Sequence, residues 1–402
     1  MKRSMGARFA LLGSIVLSAS GCGGFAPALG SSTARSQLAL GVRQDAYVYR
    51  TLLRLHGTDG SDPISAPIVV GNALYGLTYS GGVYNDGVLY SLSTSGQLKV
   101  IYSFGRRIDG AQPFGGIIEQ NGTFYGTTTR GGKPNHGIIF AVTTAGKEHV
   151  VFQFGHVKDA PYYPTDSLVA LNGTFYGTTL YGGTTGRGAV FAVTSAGART
   201  WFYSFGATGD GNRPYAGLTA LNGTLYGTTS GGGANGKGIV FSITTAGVEK
   251  VLYSFQGGSD GASPRATLCV VHGMLYGTTL SGGANQKGTI FSITPAGKER
   301  VLYSFGGAPN DGAKPYAGLT VWGHVLVGTT TEGGTYNRGT AYTVTTSGSE
   351  VPIYSFGFQH AGSMPFAGLT VLNQTLYGAT AAGGPRKIGT FFSITPNVAR
   401  VR

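Results

Sequence analysis

The most nucleotide-like stretch of the chain is GGGANGKG at residues 231–238, which approaches the phosphate loop G-x-x-x-x-G-K-[ST]. That chemistry needs backbone amides at a helix N-terminus, a Lys for the phosphates and a hydroxyl for the metal. Gly238 stands where the hydroxyl belongs, and IVFSIT follows, an apolar, β-branched run that reads as a strand. Related stretches recur at Gly182 (GGTTGRG), Gly282 (GGANQKG) and Gly333 (GGTYNRG). A motif in many copies is a building block of the fold, so no nucleotide site is expected.

The chain has no H-E-x-x-H and no G-x-S-x-G, and its seven His residues lack metal-ligand spacing. Asp-Gly pairs recur, but without the D-x-[DN]-x-[DN]-G spacing of a calcium loop. No catalytic residue, cofactor or metal is therefore expected. A cation recurs just after the glycine-rich stretch: Arg187, Lys237, Lys287, Arg338 and Lys387, with Asp86 and His136 in the two remaining copies. An Asp recurs further on, at 59, 109, 159, 210, 260 and 311. Two readings follow. One is a rim of alternating charge that recognises a polyanion or a glycan. The other is a set of repeated turns, since Asp-Gly suits a tight turn. Repetition in nearly every copy favours the second. Departures from the repeat are better site candidates. Where other copies read DGAxPYAGL, the third reads HVKDAPYYPTDSL and gathers His156, Lys158, Tyr162, Tyr163 and Asp166. Stacked Tyr and polar groups there suit a sugar ring.

These residues are positioned by a tandem repeat. Tyr-Gly occurs at Tyr75, Tyr125, Tyr176, Tyr226, Tyr276 and Tyr377, with Val327-Gly328 in the remaining slot. A double glycine follows each, from Gly81-Gly82 to Gly383-Gly384. A period near 50 residues with short strand signals indicates a propeller. In the fourth unit, residues 214–221 read as strand A, 224–230 as B, 238–244 as C and 249–255 as D. Asn222-Gly223 marks a type I′ hairpin between A and B, so the Asn-Gly-Thr sequons at Asn121, Asn172 and Asn222 are read as turns. B–C and D–A loops then share one rim. A D-like strand at 47–55 precedes the first A strand, and the last unit ends after its C strand. The expectation is an all-β, seven-bladed propeller of four-stranded antiparallel blades over residues 47–402, closed by the N-terminal strand completing the last blade.

Repeated LYGTT-x-x-GG, followed by G-T-[IV]-F-S-I-T and LYSF, resembles the GloVer tandem repeat of bacterial exported proteins. The pattern is also similar to kelch repeats, with Phe or Tyr in place of their late Trp. The resemblance implies the fold and no activity. Some kelch propellers hold copper with Tyr, Cys and His. Here Cys269 and His272 lie close in sequence but on an apolar run, so no copper site is expected.

The beginning of the chain supplies an address. Lys2, Arg3 and Arg8 precede a short apolar segment and Ala19-Ser20-Gly21-Cys22. This resembles a bacterial lipobox, which implies a signal peptide over 1–21 and lipid on Cys22. Residues 22–46 then read as a tether, reaching about 25–30 Å as a coil. The formal charge is +13; losing the leader's three cations and no acids leaves +10. Such a balance favours anionic surfaces and glycans. The cations are scattered, and nucleic acid is not an expected partner. The sequence points to an exported, lipid-anchored module of the cell envelope that binds glycan or an envelope protein. A polysaccharide-active enzyme and a purely structural surface protein are the alternatives.

Overall fold

The computed structural model describes residues 46–397 apart from 106, 107, 157, 359 and 360. Seven antiparallel blade sheets follow one another, each with the unit's A, B, C and D strands in spatial order; the third and fifth carry an extra short strand, three two-stranded ribbons accompany other blades, and no α-helix occurs among the described residues. The fourth blade is representative. Its strands are Thr219–Leu221, Thr224–Thr229, Ile239–Thr244 and Glu249–Ser254. Asn222 and Gly223 take φ of 50° and 76°, as the I′ hairpin requires. The stretch at 231–238 is a loop delivering the chain into a strand, which removes the phosphate-loop reading on structural grounds.

The repeated motif has a packing explanation. Gly227 of Tyr-Gly-Thr-Thr lies directly across the sheet from Phe241. A Cβ on it would stand 2.6 Å from the Phe241 ring. The far end of the aromatic ring thus packs over the glycine, and the ring stays wholly buried. The same pairing recurs in every blade, with Tyr90 over Gly76 and Tyr342 over Gly328 in the first and sixth. The first Thr of the motif then ties blades together. Thr178, Thr278 and Thr329 donate hydroxyl hydrogen bonds to the carbonyls of Ala216, Ala317 and Ala367 in the following blades, at 2.7–3.1 Å. Each buried Phe or Ile contributes about 1.5–3 kcal/mol, and the clusters straddle neighbouring blades: Phe205 of the third packs with Phe241 of the fourth.

The A strand is shorter than the sequence suggests. Residues 214–218 precede it without joining the sheet. Proline offers no N–H for a ladder, and the residue before it is left-handed in all seven units, with φ of 53–64°. That residue's N–H instead crosses to the preceding blade. In units two to seven it meets the carbonyl of residue 86, 136, 187, 237, 287 or 338, and Asp62 N–H meets Ile388 O; all seven bonds measure 2.8–3.0 Å.

Ring closure is direct. Tyr47–Arg54 pairs antiparallel with Thr390–Pro396 and completes the seventh blade. Thr370 Oγ1 donates to Pro67 O at 2.5 Å, joining blade seven to blade one. Tyr49 stacks on Tyr354 with centroids 4.0 Å apart, and Trp322 of the sixth blade packs 6.0 Å from Tyr47. The proposed leader, Cys22 and most of the tether lie outside the described residues.

Candidate ligand site at the axial mouth

Arg187, Lys237, Lys287, Arg338 and Lys387 are all exposed in B–C loops. In the first four, the backbone carbonyl carries the structural duty by accepting the inter-blade bond just described. Their side chains are left to solvent, and among the described residues none of the five is ion-paired. The repeated Asp residues do not face them. Asp109, Asp210, Asp260 and Asp311 accept the hydroxyls of Tyr102, Tyr203, Tyr253 and Tyr303 at 2.6–3.1 Å. Three of them also accept the N–H of a Gly four or five residues earlier, as Asp210 does from Gly206 at 2.8 Å. Asp59 likewise accepts the N–H groups of His56 and Gly57, so five of the six repeated Asp residues serve turns, whereas Asp159 is exposed on the rim with the five cations.

The five residues gathered from the third unit do not stay together. His156 and Lys158 are exposed on the D–A loop, with His156 bonded to Gln153. Tyr162 is stacked between His136 (4.7 Å) and Tyr181 (5.7 Å), on the wall of an open cleft of about 320 Å³. Tyr163 packs edge-on to Tyr181 at 5.8 Å. Asp166 leaves this group altogether and reaches the propeller axis. Its Oδ2 accepts Gly217 N–H at 2.6 Å and the Thr267 hydroxyl at 2.7 Å, and its Oδ1 accepts Ser167 N–H at 2.6 Å. One carboxylate thus links blades three, four and five. Burial raises its pKa, and these three donors partly offset the rise.

Above Asp166 lies a ring that sequence reading missed. The residue after each unit's proline is Ile64, Phe114, Thr165, Tyr215, Arg265, Tyr316 or Phe366. All but the buried Thr165 are half-buried, as expected where inner strands converge on an axis. From Thr165 to Phe366, successive members touch. Thr165 Oγ1 donates to the carbonyls of Pro214 and Tyr215, and Tyr316 meets Phe366 edge-on at 5.0 Å. Arg265 lies between two rings, its Cζ 4.7 Å from the Tyr215 centroid and 5.6 Å from that of Tyr316. Burial raises the pKa of Tyr316, and the Arg265 charge opposes it. Arg265 Nε is buried with no hydrogen-bond partner. Such a cation–π sandwich contributes about 0.5–2 kcal/mol and fixes the guanidinium plane. The signal was available: aligned on its proline, only the fifth unit places a charge at this position.

Cys269 is fully buried on Cys269–Val271, whereas His272 sits in the exposed turn after it. The two side chains do not converge. No group of three or more potential metal ligands occurs among the described residues.

A family model described as the Gloeobacter/Verrucomicrobia repeat matches residues 40–191 and 163–392. No curated protein matches the chain significantly. Solved propellers are similar in shape. A streptogramin B lyase is 15% identical, over 88% of this chain and 99% of its own, with a TM-score of 0.60. Virginiamycin B lyase from Staphylococcus aureus is 13% identical over 87% and 98%, with a TM-score of 0.56. A puromycin hydrolase is 11% identical over 83% and 52%, with a TM-score of 0.56. At these identities the likeness is one of fold.

Proposed function

The chain belongs to the Gloeobacter/Verrucomicrobia repeat family, and on that premise we propose that it is a binding module whose ligand, a glycan, docks at the axial mouth on the B–C/D–A face. The observation that carries this is Arg265 held between Tyr215 and Tyr316 in an otherwise aromatic and apolar ring. Flat apolar faces around one oriented polar group suit a sugar, which has an apolar face and hydroxyl edges. Further aromatics extend the same face, where Tyr336 and Phe358 are exposed and stacked at 5.8 Å. A binder is favoured over a glycoside hydrolase because hydrolysis uses two carboxylates flanking one bond. At the ring position and the two that follow it in each unit, Asp166 is the one acid, and three donors already hold it.

The proposal includes an address: an exported protein, lipid-anchored through Cys22 at the outer membrane or cell surface, presenting this face to the envelope. The test is a glycan array probed with purified protein, with Tyr215→Ala and Tyr316→Ala as site variants. Retention of saccharide by the wild type and its loss in both folded variants is expected. Absence of saccharide binding by folded wild-type protein would refute the proposal. A mass spectrum of the native N-terminus tests the anchor.

A further inference from the structure

Resting on that binding reading, we infer that the axial mouth selects an anionic saccharide, with a sugar carboxylate held by the Arg265 guanidinium between the Tyr215 and Tyr316 rings.

The fold itself sets what this position requires. Ile64, Phe114, Tyr215, Tyr316 and Phe366 show that an apolar or aromatic side chain satisfies the ring. Arginine at the fifth position instead leaves a buried Nε without a partner, an arrangement that costs about 1–3 kcal/mol. Stacking on Tyr215 and Tyr316 gives a reason for the flat guanidinium but none for the unpaired Nε. A planar anion does, because the guanidinium fork matches a carboxylate through two parallel hydrogen bonds.

The surroundings leave that role open. Among the described residues, no carboxylate lies within ion-pair distance of Arg265. The nearby acid of the throat, Asp166, is committed to Gly217, Thr267 and Ser167. Residues preceding the prolines of the fourth and sixth units add Arg213 and Lys314, both exposed, on the blades flanking Arg265. Lys314 is shared with Glu332 at 2.7 Å, so Arg213 supplies the fuller charge. Outside them lie the unpaired Arg187, Lys237 and Lys287. A mouth with basic residues across blades three to six raises the local concentration of anions. The flanking rings require more than a bare ion, since a small anion would leave Tyr215 and Tyr316 without a function in binding. An acidic sugar satisfies both the fork and the faces.

The experiment is calorimetric titration of the purified protein with an oligogalacturonate and with its fully methyl-esterified form, which keeps the ring and linkage but removes the charge. Wild type is expected to bind the acid at least about tenfold more tightly than the ester, with the preference shrinking as salt is raised. Arg265→Met should remove the preference, so that this variant binds the acid no more tightly than it binds the ester. Arg265→Lys, which keeps the charge and loses the fork, should give an intermediate preference and decides the matter if the Met variant fails to fold. Equal binding of acid and ester by wild type would overturn the anionic assignment and leave glycan binding standing. Binding of neither form, together with an empty glycan array, would overturn both. A preference surviving in folded Arg265→Met would place the anion elsewhere and also overturn the assignment.

Discussion

Raising the pH from about 5 to about 8.5 should destabilise the ring, and Glu350 should account for a measurable share. Glu350 opens the D strand Glu350–Ser355 of blade six, where that blade meets the Tyr303–Asp311 pair of blade five. Burial, reinforced by the Asp311 carboxylate and partly offset by the Tyr303 hydroxyl, pushes its pKa up to about 8. Glu148, Glu249 and Glu299 at three equivalent junctions are pushed to about 7 by burial and by Asp109, Asp210 and Asp260. In all four, Oε1 is buried without a partner. The folded protein therefore holds these protons more tightly than the unfolded chain. Stability from each is complete below the unfolded pKa near 4.5, declines through the window up to about 7 or 8, and is absent above it. Each pKa unit corresponds to about 1.36 kcal/mol, so the Glu350 shift has a ceiling of roughly 4–5 kcal/mol. Discounting for partial solvation leaves about 2 kcal/mol, with about 0.5–1 kcal/mol from each of the other three. Urea unfolding at the two pH values measures the effect. Glu350→Gln, which cannot ionise, should lose about 2 kcal/mol less than wild type on going to the higher pH. Wild-type stability that is level or rises over this range, or a Glu350→Gln variant that falls as far as wild type, would refute the reasoning.

Three further outcomes are expected. Gly227→Val drives a side chain into the Phe241 ring, whose Cζ lies 2.6 Å from an added Cβ, and should cost about 1–3 kcal/mol in chemical unfolding. Asp166→Ala removes the acceptor of the Thr267 hydroxyl and leaves Gly217 N–H with Thr267 Oγ1 alone; a loss of about 1–3 kcal/mol is expected in the same assay. Tyr49→Ala removes a ring stacked on Tyr354 and Phe392, and should lower stability by about 3 kcal/mol and increase proteolysis of the N-terminal strand. Unchanged thermal midpoints in these variants would contradict the packing described.

The blade count, the strand order and the closing strand were legible because each copy repeats the same solution. Tyr-Gly-Thr-Thr is readable as a unit marker even before its purpose, an aromatic laid over a glycine, is known. The site was less legible. The recurring cations drew attention to the rim, yet at four of the five positions the repeated contribution is a backbone carbonyl that any residue supplies. Asp166 looked like a neighbour of His156 because the two share a loop in sequence. In the fold, the proline after Tyr163 turns the chain inward, and three residues later it stands at the axis. Arg265 is less visible because its unit keeps the pattern DGAxPYAGL except at Arg265 and Thr267, whereas the third unit departs from it throughout.

Pairing of Tyr47–Arg54 with Thr390–Pro396 also sets a timetable. The earliest strand to leave the ribosome is the last to find its partner, because nearly 340 residues must be made in between. Throughout synthesis the newborn chain carries a bare strand at its front and an unfinished circle behind. The first six blades pair within their own units, and only the seventh waits for the two distant strands to meet.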